Sequence, residues 1–325
     1  MPPDESPPTP NPLKIAFTYD SCSDWIARGY SPGQCAEFQD DATIEGIAAS
    51  LRKLGTVEMV GGVKSLAKRL VSSQPDWDLV FNFCEGYGTL GREAQVPALL
   101  EAWGIPFTFS DSATLALCMD KAKTKVSKQQ SAGLEMNEID YPHSPHCDSL
   151  DSYPLFVKPA SVSTGIGISR INKVHDREQL AHIVEEITKQ YPTQTVLIER
   201  FLGGREFTVG IIGTGTASYV IGVRELHKWS QNPQYVDMDL SDDIAHAAGE
   251  VALKAWKLLE CRDGGRVDIR HDKMGLGAVP NFIEVNPLAG LTPNWSDLPE
   301  LAKANGTNFD RLLELMISSA LKRRI

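Results

Sequence analysis

Gly265-Arg266-Val267-Asp268 and Ile283-Glu284-Val285-Asn286-Pro287 flank a turn candidate at His271-Asp272-Lys273-Met274-Gly275. Side chains alternate faces along a strand, so Arg266 and Asp268 share one face of the first run, and Glu284 and Asn286 share one face of the second. A hairpin brings these faces together beside apolar Val267, Ile269, Ile283 and Val285. Two carboxylates and an amide held there repel one another and lose hydration unless a cation sits among them. Oxygen-only donors favour Mg²⁺ or Mn²⁺ over zinc. A solvated hairpin face with ordinary surface charges fits the same pattern.

Two further segments carry chemistry. Lys158-Pro159 ends an apolar run, Leu155-Phe156-Val157, and opens a loop of small and hydroxyl residues, Ala160-Ser161-Val162-Ser163-Thr164-Gly165-Ile166-Gly167. Such a loop can fold over phosphates, and a lysine beside an apolar run is costly to bury without an anion. It is not a Walker loop, whose lysine follows the glycines. The run from Ile198-Glu199-Arg200-Phe201-Leu202 to Arg205-Glu206-Phe207-Thr208-Val209 delivers Glu199 on one strand and opens the next at Glu206. Exposed backbone groups beside Phe201 and Leu202 suit the stacking and edge contacts of an adenine ring, and equally suit a plain strand connection.

Around these segments the chain reads as alternating strands and helices. Strands are expected at 13–17 and 79–83 and helices at 43–54 and about 93–103, which predicts a doubly wound parallel sheet ending near Leu117. A helix over 120–132, strands at 155–157, 168–171 and 196–199, and a helix over 176–189 follow. Then come strands at 206–212 and 217–223 and a long amphipathic helix over 242–259 capped by Ser241.

The whole chain has 325 residues, 42% of them apolar, and a formal charge of −10. That length predicts about two domains. No apolar run approaches the ~18 residues of a spanning helix, and the acidic balance opposes nucleic acid and anionic membranes. The six cysteines show no C-x-x-C pair, and read as reduced thiols of a cytoplasmic protein. Cys147 beside His143 and His146 lacks a second cluster to complete a zinc site. Residues 1–12 hold six of the twenty prolines and read as a flexible leader.

The order of motifs says more than any one of them. Met119-Asp120-Lys121, Phe156-Val157-Lys158-Pro159 with its glycine loop, Glu199-Arg200-Phe201-Leu202, Arg205-Glu206-Phe207-Thr208-Val209, Gly265-Arg266-Val267-Asp268 and Ile283-Glu284-Val285-Asn286-Pro287 together resemble the D-alanine–D-alanine ligase family of ATP-grasp enzymes. The likeness runs over nearly the whole chain. It implies an α/β and α+β ATP-grasp fold with a doubly wound, Rossmann-like N-terminal domain. The expected parts are the leader at 1–12, that domain at 13–117, a central ATP-grasp subdomain at 118–202 and a C-terminal one at 203–325.

The resemblance also implies roles. Lys121 and Lys158 would grip ATP phosphates under a loop carrying Ser163 and Thr164. Glu199 and the backbone near Leu202 would meet the adenine edge, and Glu206 the ribose. Asp268, Glu284 and Asn286 would hold two Mg²⁺ or Mn²⁺ ions, Arg266 would stabilise charge on the carboxylate or acyl phosphate, and the Gly290 N–H would face the reacting carbonyl. Ser296 lies near the family's serine for the second substrate. The implied chemistry is phosphorylation of a carboxylate by ATP, then attack of an amine on the acyl phosphate, with small amino acids as substrates. Homodimerisation is expected from the family alone.

The departures fall on substrate recognition. The family's first glycine loop with its glutamate is replaced by residues 19–41, where Glu37, Asp40 and Asp41 are candidates. Cys84-Glu85-Gly86 stands where a histidine-glycine is usual, and Lys228 and Tyr235 stand for a lysine-tyrosine pair at altered spacing. Joining of D-alanine, joining of other amino acids, and non-catalytic nucleotide binding on the same fold remain open at this point.

Overall fold

The computed structural model describes residues 12–35, 37–129, 139–140, 153–161, 170–227 and 234–323. Ser163, Thr164, Lys228, Cys147, His143 and His146 lie outside them, as does the leader but for its last residue.

The first sheet is parallel, in the order β2-β1-β3, built from β1 (Leu13–Tyr19), β2 (Gly55–Met59) and β3 (Leu79–Phe83). Helices cover both faces. On one, α2 (Asp41–Leu51) joins the core of Ile15, Phe17 and Phe81. On the other, α3 (Val63–Ser72) and α4 (Gln95–Trp103) pack Leu66, Leu70 and Leu100 against Ala16 and Val80. This is the doubly wound arrangement expected, with α1 (Cys22–Ala27) added inside the loop after β1.

After α5 (Ser112–Cys118) and α6 (Lys121–Gln129), the second sheet runs β4-β7-β5-β6, from β4 (Ile139–Asp140), β5 (Leu155–Pro159), β6 (Lys173–Val174) and β7 (Val196–Arg200), with α7 (Arg177–Gln190) on one face. Of the strand expected at 168–171, residues 168 and 169 lie outside the described residues and 170 and 171 are not strand. Arg170–Asn172 forms a 3-10 turn and the pairing strand is Lys173–Val174. Asn172 explains the turn, since its side-chain amide donates to the Val157 carbonyl at 2.7 Å.

The third sheet is antiparallel, in the order β10-β9-β8-β11-β12, from β8 (Glu206–Ile212), β9 (Tyr219–Leu226), β10 (Tyr235–Met238), β11 (Gly264–His271) and β12 (Pro280–Asn286). Its apolar face, with Phe207, Val209, Val267 and Phe282, is closed by Trp256 and the alanines of α8 (Asp243–Leu258). The cap of α8 is Asp242 rather than Ser241, because the Asp242 carboxylate reaches the Ile244 and Ala245 N–H groups while Ser241 bonds Asp239.

The opposite face positions the site. Gly210 pairs with Gly222 on β9 and with Arg266 on β11. A Cβ at Gly222 would stand 2.8 Å from the Asn305 side chain and 3.0 Å from Leu301, and one at Gly210 would stand 3.1 Å from Leu298. The glycine pair therefore lets α9 (Asp297–Ala304) lie directly on the sheet, with its first turn beside Arg266.

The chain returns to its beginning through α10 (Phe309–Lys322), whose Leu312, Leu313, Met316 and Ile317 complete the core of the first sheet. Beyond it Arg323 pairs with fully buried Asp263 and donates to the Phe107 carbonyl at 3.0 Å, while Asp263 accepts from the Phe109 N–H at 2.8 Å. Asp263→Ala removes the carboxylate that pairs with Arg323 and the acceptor of the Phe109 N–H. It should lower unfolding free energy by about 3–5 kcal/mol, the usual cost of breaking a buried ion pair. Urea titration checks this, and a loss below about 1 kcal/mol, the scale of an exposed pair, would sink the clamp.

Candidate active site

A cleft of about 780 Å³ lies between the first and third sheets and is lined by Lys121, Arg266, Glu284, Asn286 and Gly290 among others. Lys121 enters it from the start of α6. Asp120 fixes that start by accepting the Ala122 and Lys123 N–H groups at 3.1 and 3.0 Å, and the Lys121 N–H donates to the Ala160 carbonyl at 3.1 Å. The ammonium then reaches across to Glu284 on β12, at 2.9 Å.

A second charge cluster sits on the middle sheet. Glu199 pairs with Phe156 and Lys158 with Leu197, so Lys158 and Glu199 are diagonal neighbours on one face, 2.7 Å apart. The other Glu199 oxygen is held by Lys125, which arrives from α6 and is fully buried. Burial pulls the Lys125 ammonium down to about 8 in spite of Glu199. Burial works against ionised Glu199 as well, but Lys125 and Lys158 outweigh it and hold the carboxyl at about 2. Both Glu199 carboxylate oxygens are thus engaged within the protein. After β7, Leu202 is buried, Phe201 carries Lys173 over its ring at 4.2 Å, and Glu206 accepts from Arg270 at 3.2 Å.

The hairpin forms with the side-chain placement its alternation predicts. Arg266 faces Asn286 and Asp268 faces Glu284 across β11 and β12, with Thr208 on the other side of Asp268. Glu284 is held at about 2, because Lys121, Lys158 and Arg266 outweigh the opposing effect of burial. Arg266 approaches Asp268 at 3.8 Å and is held more tightly by Asp297 at 2.6 Å. That aspartate also accepts from Arg224 at 3.2 Å, and Asp237 of β10 holds Arg224 from the other side at 2.6 Å.

Asp268, Glu284 and Asn286 offer hard oxygen donors in one patch, the set that suits Mg²⁺ or Mn²⁺. The buried Asn286 Nδ2 has no hydrogen-bond partner among the described residues, so its amide is not locked into another network. The residues fit a divalent cation through two carboxylates and one amide. No group of three His, Cys, Asp or Glu side chains suited to a metal occurs among the described residues.

The loop after β12 brings Gly290 and Ser296 together. A Cβ on Gly290 would stand 2.8 Å from the Ser296 hydroxyl oxygen, which accepts the Thr292 N–H at 3.1 Å. Of the other substrate candidates, Tyr235 is exposed on the sheet edge at the cleft and Glu85 lines it. Asp40 lines it too, but its carboxylate caps α2 by accepting the Thr43 N–H at 2.6 Å, so a substrate role for it is secondary to that cap.

Sequence reasoning passed over Lys125, Asp297, Arg224 and Glu93. For Lys125 the signal was present in its position one helical turn after Lys121. Asp297 and Arg224 depend on how α9 docks, which no local pattern carries.

An ATP-grasp ligase is the class that this three-sheet fold and its paired lysines and carboxylates define. The family description "D-ala D-ala ligase C-terminus" matches residues 132–318. The D-alanine–D-alanine ligase of Xanthomonas axonopodis pv. citri is 30% identical over 290 residues, which is 84% of this chain and 87% of that protein. That of Thermotoga maritima is 30% identical over 293 residues, 85% of this chain and 90% of that protein. The chain therefore belongs to the D-alanine–D-alanine ligase family. Among solved structures, the D-alanine–D-alanine ligase of Bacillus anthracis complexed with ATP shares the fold, with a TM-score of 0.71 and 22% identity over 95% of this chain and 98% of that one. The VanG D-Ala:D-Ser ligase of Enterococcus faecalis does so at 0.67 and 19%, over 95% and 100%.

Because Glu199 and Glu284 ionise at about 2 when folded against an ordinary 4.5, the unfolded chain binds more protons between those values. The stability they contribute is fully present above pH 4.5 and is lost as the pH falls toward 2. Urea unfolding at a series of pH values should show that decline, and Glu199→Gln should flatten it; an unchanged pH slope in the variant would refute the pairing.

Proposed function

We propose that this protein is an ATP-dependent carboxylate–amine ligase that joins two amino acids through an acyl phosphate, releasing ADP and phosphate. The observation that carries the reading is the convergence of Lys121, Arg266, Glu284, Asn286 and Gly290 on one cleft in a chain of this family. In this reading residues 13–117, 118–202 and 203–325 act as three parts around the nucleotide. The six cysteines and the family suit a cytoplasmic enzyme; five of those cysteines are free thiols among the described residues.

A carboxylate is a poor electrophile, and its reaction with the γ-phosphate concentrates negative charge on the transferred group. Lys158 and Lys121 stand as cations for that charge, and each is already held in place by a carboxylate, so little reorganisation is needed at the moment of transfer. Asp268, Glu284 and Asn286 would hold Mg²⁺ or Mn²⁺, which when bound neutralises phosphate charge. Arg266, fixed by Asp297, presents its guanidinium beside Asp268 where the acyl oxygen carries charge. The Gly290 backbone, kept close to Ser296 by the missing side chain, offers an N–H to the reacting carbonyl. An amine that has lost its proton then attacks the acyl phosphate and expels phosphate. No protein nucleophile is required, and Cys84 is a buried thiol pushed well above its ordinary range by burial.

Incubation with ATP, Mg²⁺ and a panel of D- and L-amino acids should give amino-acid-dependent phosphate release; none across the panel, with ATP still bound, would favour a nucleotide-binding protein instead. Chelation of divalent ions should abolish release. Glu284→Gln should reduce it by at least about 100-fold, the scale lost with one preorganised charge contact, and near-full activity would sink the metal assignment.

A further inference from the structure

The first domain contributes a wall of carboxylates to the cleft that the ligase chemistry does not use. Glu37, Glu85 and Glu93 all line it. Arg92 donates to both oxygens of Glu37 at 3.0 and 2.9 Å. Asp20, behind them, accepts from the Trp25 indole at 3.0 Å and the Gly86 N–H at 2.9 Å. Glu93 is different. It is only 7% exposed, faces the cleft, and has no hydrogen bond or ion pair among the described residues. Glu85, half-buried beside it, has none either.

Buried carboxylates without partners are expensive unless they hold protons or receive a cation. Burial, opposed by Arg92 and reinforced by Glu37, raises Glu93 to about 7, and burial with Glu93 and Glu37 raises Glu85 well above the carboxylate range. The α-ammonium of an amino acid can take up one such carboxylate, which leaves a second beyond the Glu37–Arg92 pair. The opposite wall presents Arg224 and Arg266, each bracketed by aspartates, and in the ligase reading Arg266 meets the carboxylate that is activated. Phe38 also lines the cleft and is stacked on Trp25 at 4.8 Å. It offers an apolar flank of the kind on which the methylenes of a basic side chain lie while its charged end reaches a carboxylate.

Resting on the ligase reading, we infer that the amino acid whose carboxylate is activated is a basic one, with Glu85 and Glu93 receiving its side-chain cation together with its α-ammonium. A single pair of probes isolates that charge, because ornithine and norvaline have the same three-carbon chain with and without the terminal ammonium. Phosphate release is measured with each enantiomer of each, alone and with D-alanine as the second amino acid. The kcat/KM for ornithine should exceed that for norvaline by at least about tenfold, the scale of one close charge pair in a shielded site. Glu93→Gln should bring the ratio toward one chiefly by raising the KM for ornithine, with ATP binding by calorimetry as the check on folding. Glu85→Gln provides the same readout if Glu93→Gln does not fold. Equal or better use of norvaline or alanine overturns this inference and leaves the ligase reading intact. A ratio unmoved in a folded variant also overturns it. No phosphate release with any amino acid overturns both.

Discussion

Every lysine that the cleft and its floor bury is held by a carboxylate from another element, and this pairing ties the parts of the molecule together. α6 is the common member, sending Lys121 to Glu284 on β12 and Lys125 to Glu199 on β7, where Lys158 shares the same carboxylate. Removing one member of such a set leaves an uncompensated charge away from water, at a cost of about 3–5 kcal/mol. The relative placement of α6, the middle sheet and the third sheet is therefore set by charge as much as by apolar contact. In the proposed reaction a phosphate at Lys158 would compete with Glu199, and a cation at Glu284 would compete with Lys121. Ligands then arrive by exchange of partners, and the buried net charge changes little.

The third sheet solves a different problem on each face. Its apolar face is closed by α8 in the ordinary way, with Trp256 donating to the Gly213 carbonyl at 3.2 Å as well as filling space. Its polar face must keep charged side chains ordered without covering them. The glycines at 210 and 222 let α9 rest on part of that face beside the row that runs from Asp237 through Arg224, Thr208 and Asp268 to Glu284, of which Arg224 and Glu284 line the cleft. Asp297 at the first turn of α9 then reaches both arginines. α10 continues from α9 into the core of the first sheet, so the residues expected to form a separate C-terminal part also complete the N-terminal one.

What could be read in the chain follows from the range of the forces involved. Strand alternation is a local property, and it placed Arg266, Asp268, Glu284 and Asn286 on shared faces before any tertiary contact was known. The apolar run at β3 and the helical spacing at α7 were equally legible, since burial pattern and cap residue lie within a few positions of one another. The end of the strand expected at 168–171 falls instead in a turn, because Arg170–Asn172 is shaped by a contact from the Asn172 side chain to β5, fifteen residues away in sequence. The resemblance implies Glu199 as an adenine contact, whereas its partner Lys125 lies seventy-four residues earlier. Asp40 was read as a substrate group although its spacing to Thr43 is also that of a helix cap.

The two walls of the cleft differ in how their charge is balanced. On the arginine side each guanidinium is bracketed within the protein, Arg224 by Asp237 and Asp297 and Arg266 by Asp297 and Asp268. That wall is electrostatically complete and can be shared by any substrate that presents a carboxylate. On the glutamate side Glu37 alone has an ion pair among the described residues, so protons or a ligand must supply the rest. A site whose protein charges already cancel discriminates weakly among cations, while one with a surplus of buried negative charge rewards the ligand that removes it and penalises an isosteric neutral one. Selectivity in this reading therefore belongs to the wall of Glu37, Glu85 and Glu93, where two of the sequence's departures from the family pattern, residues 19–41 and Cys84-Glu85-Gly86, fall.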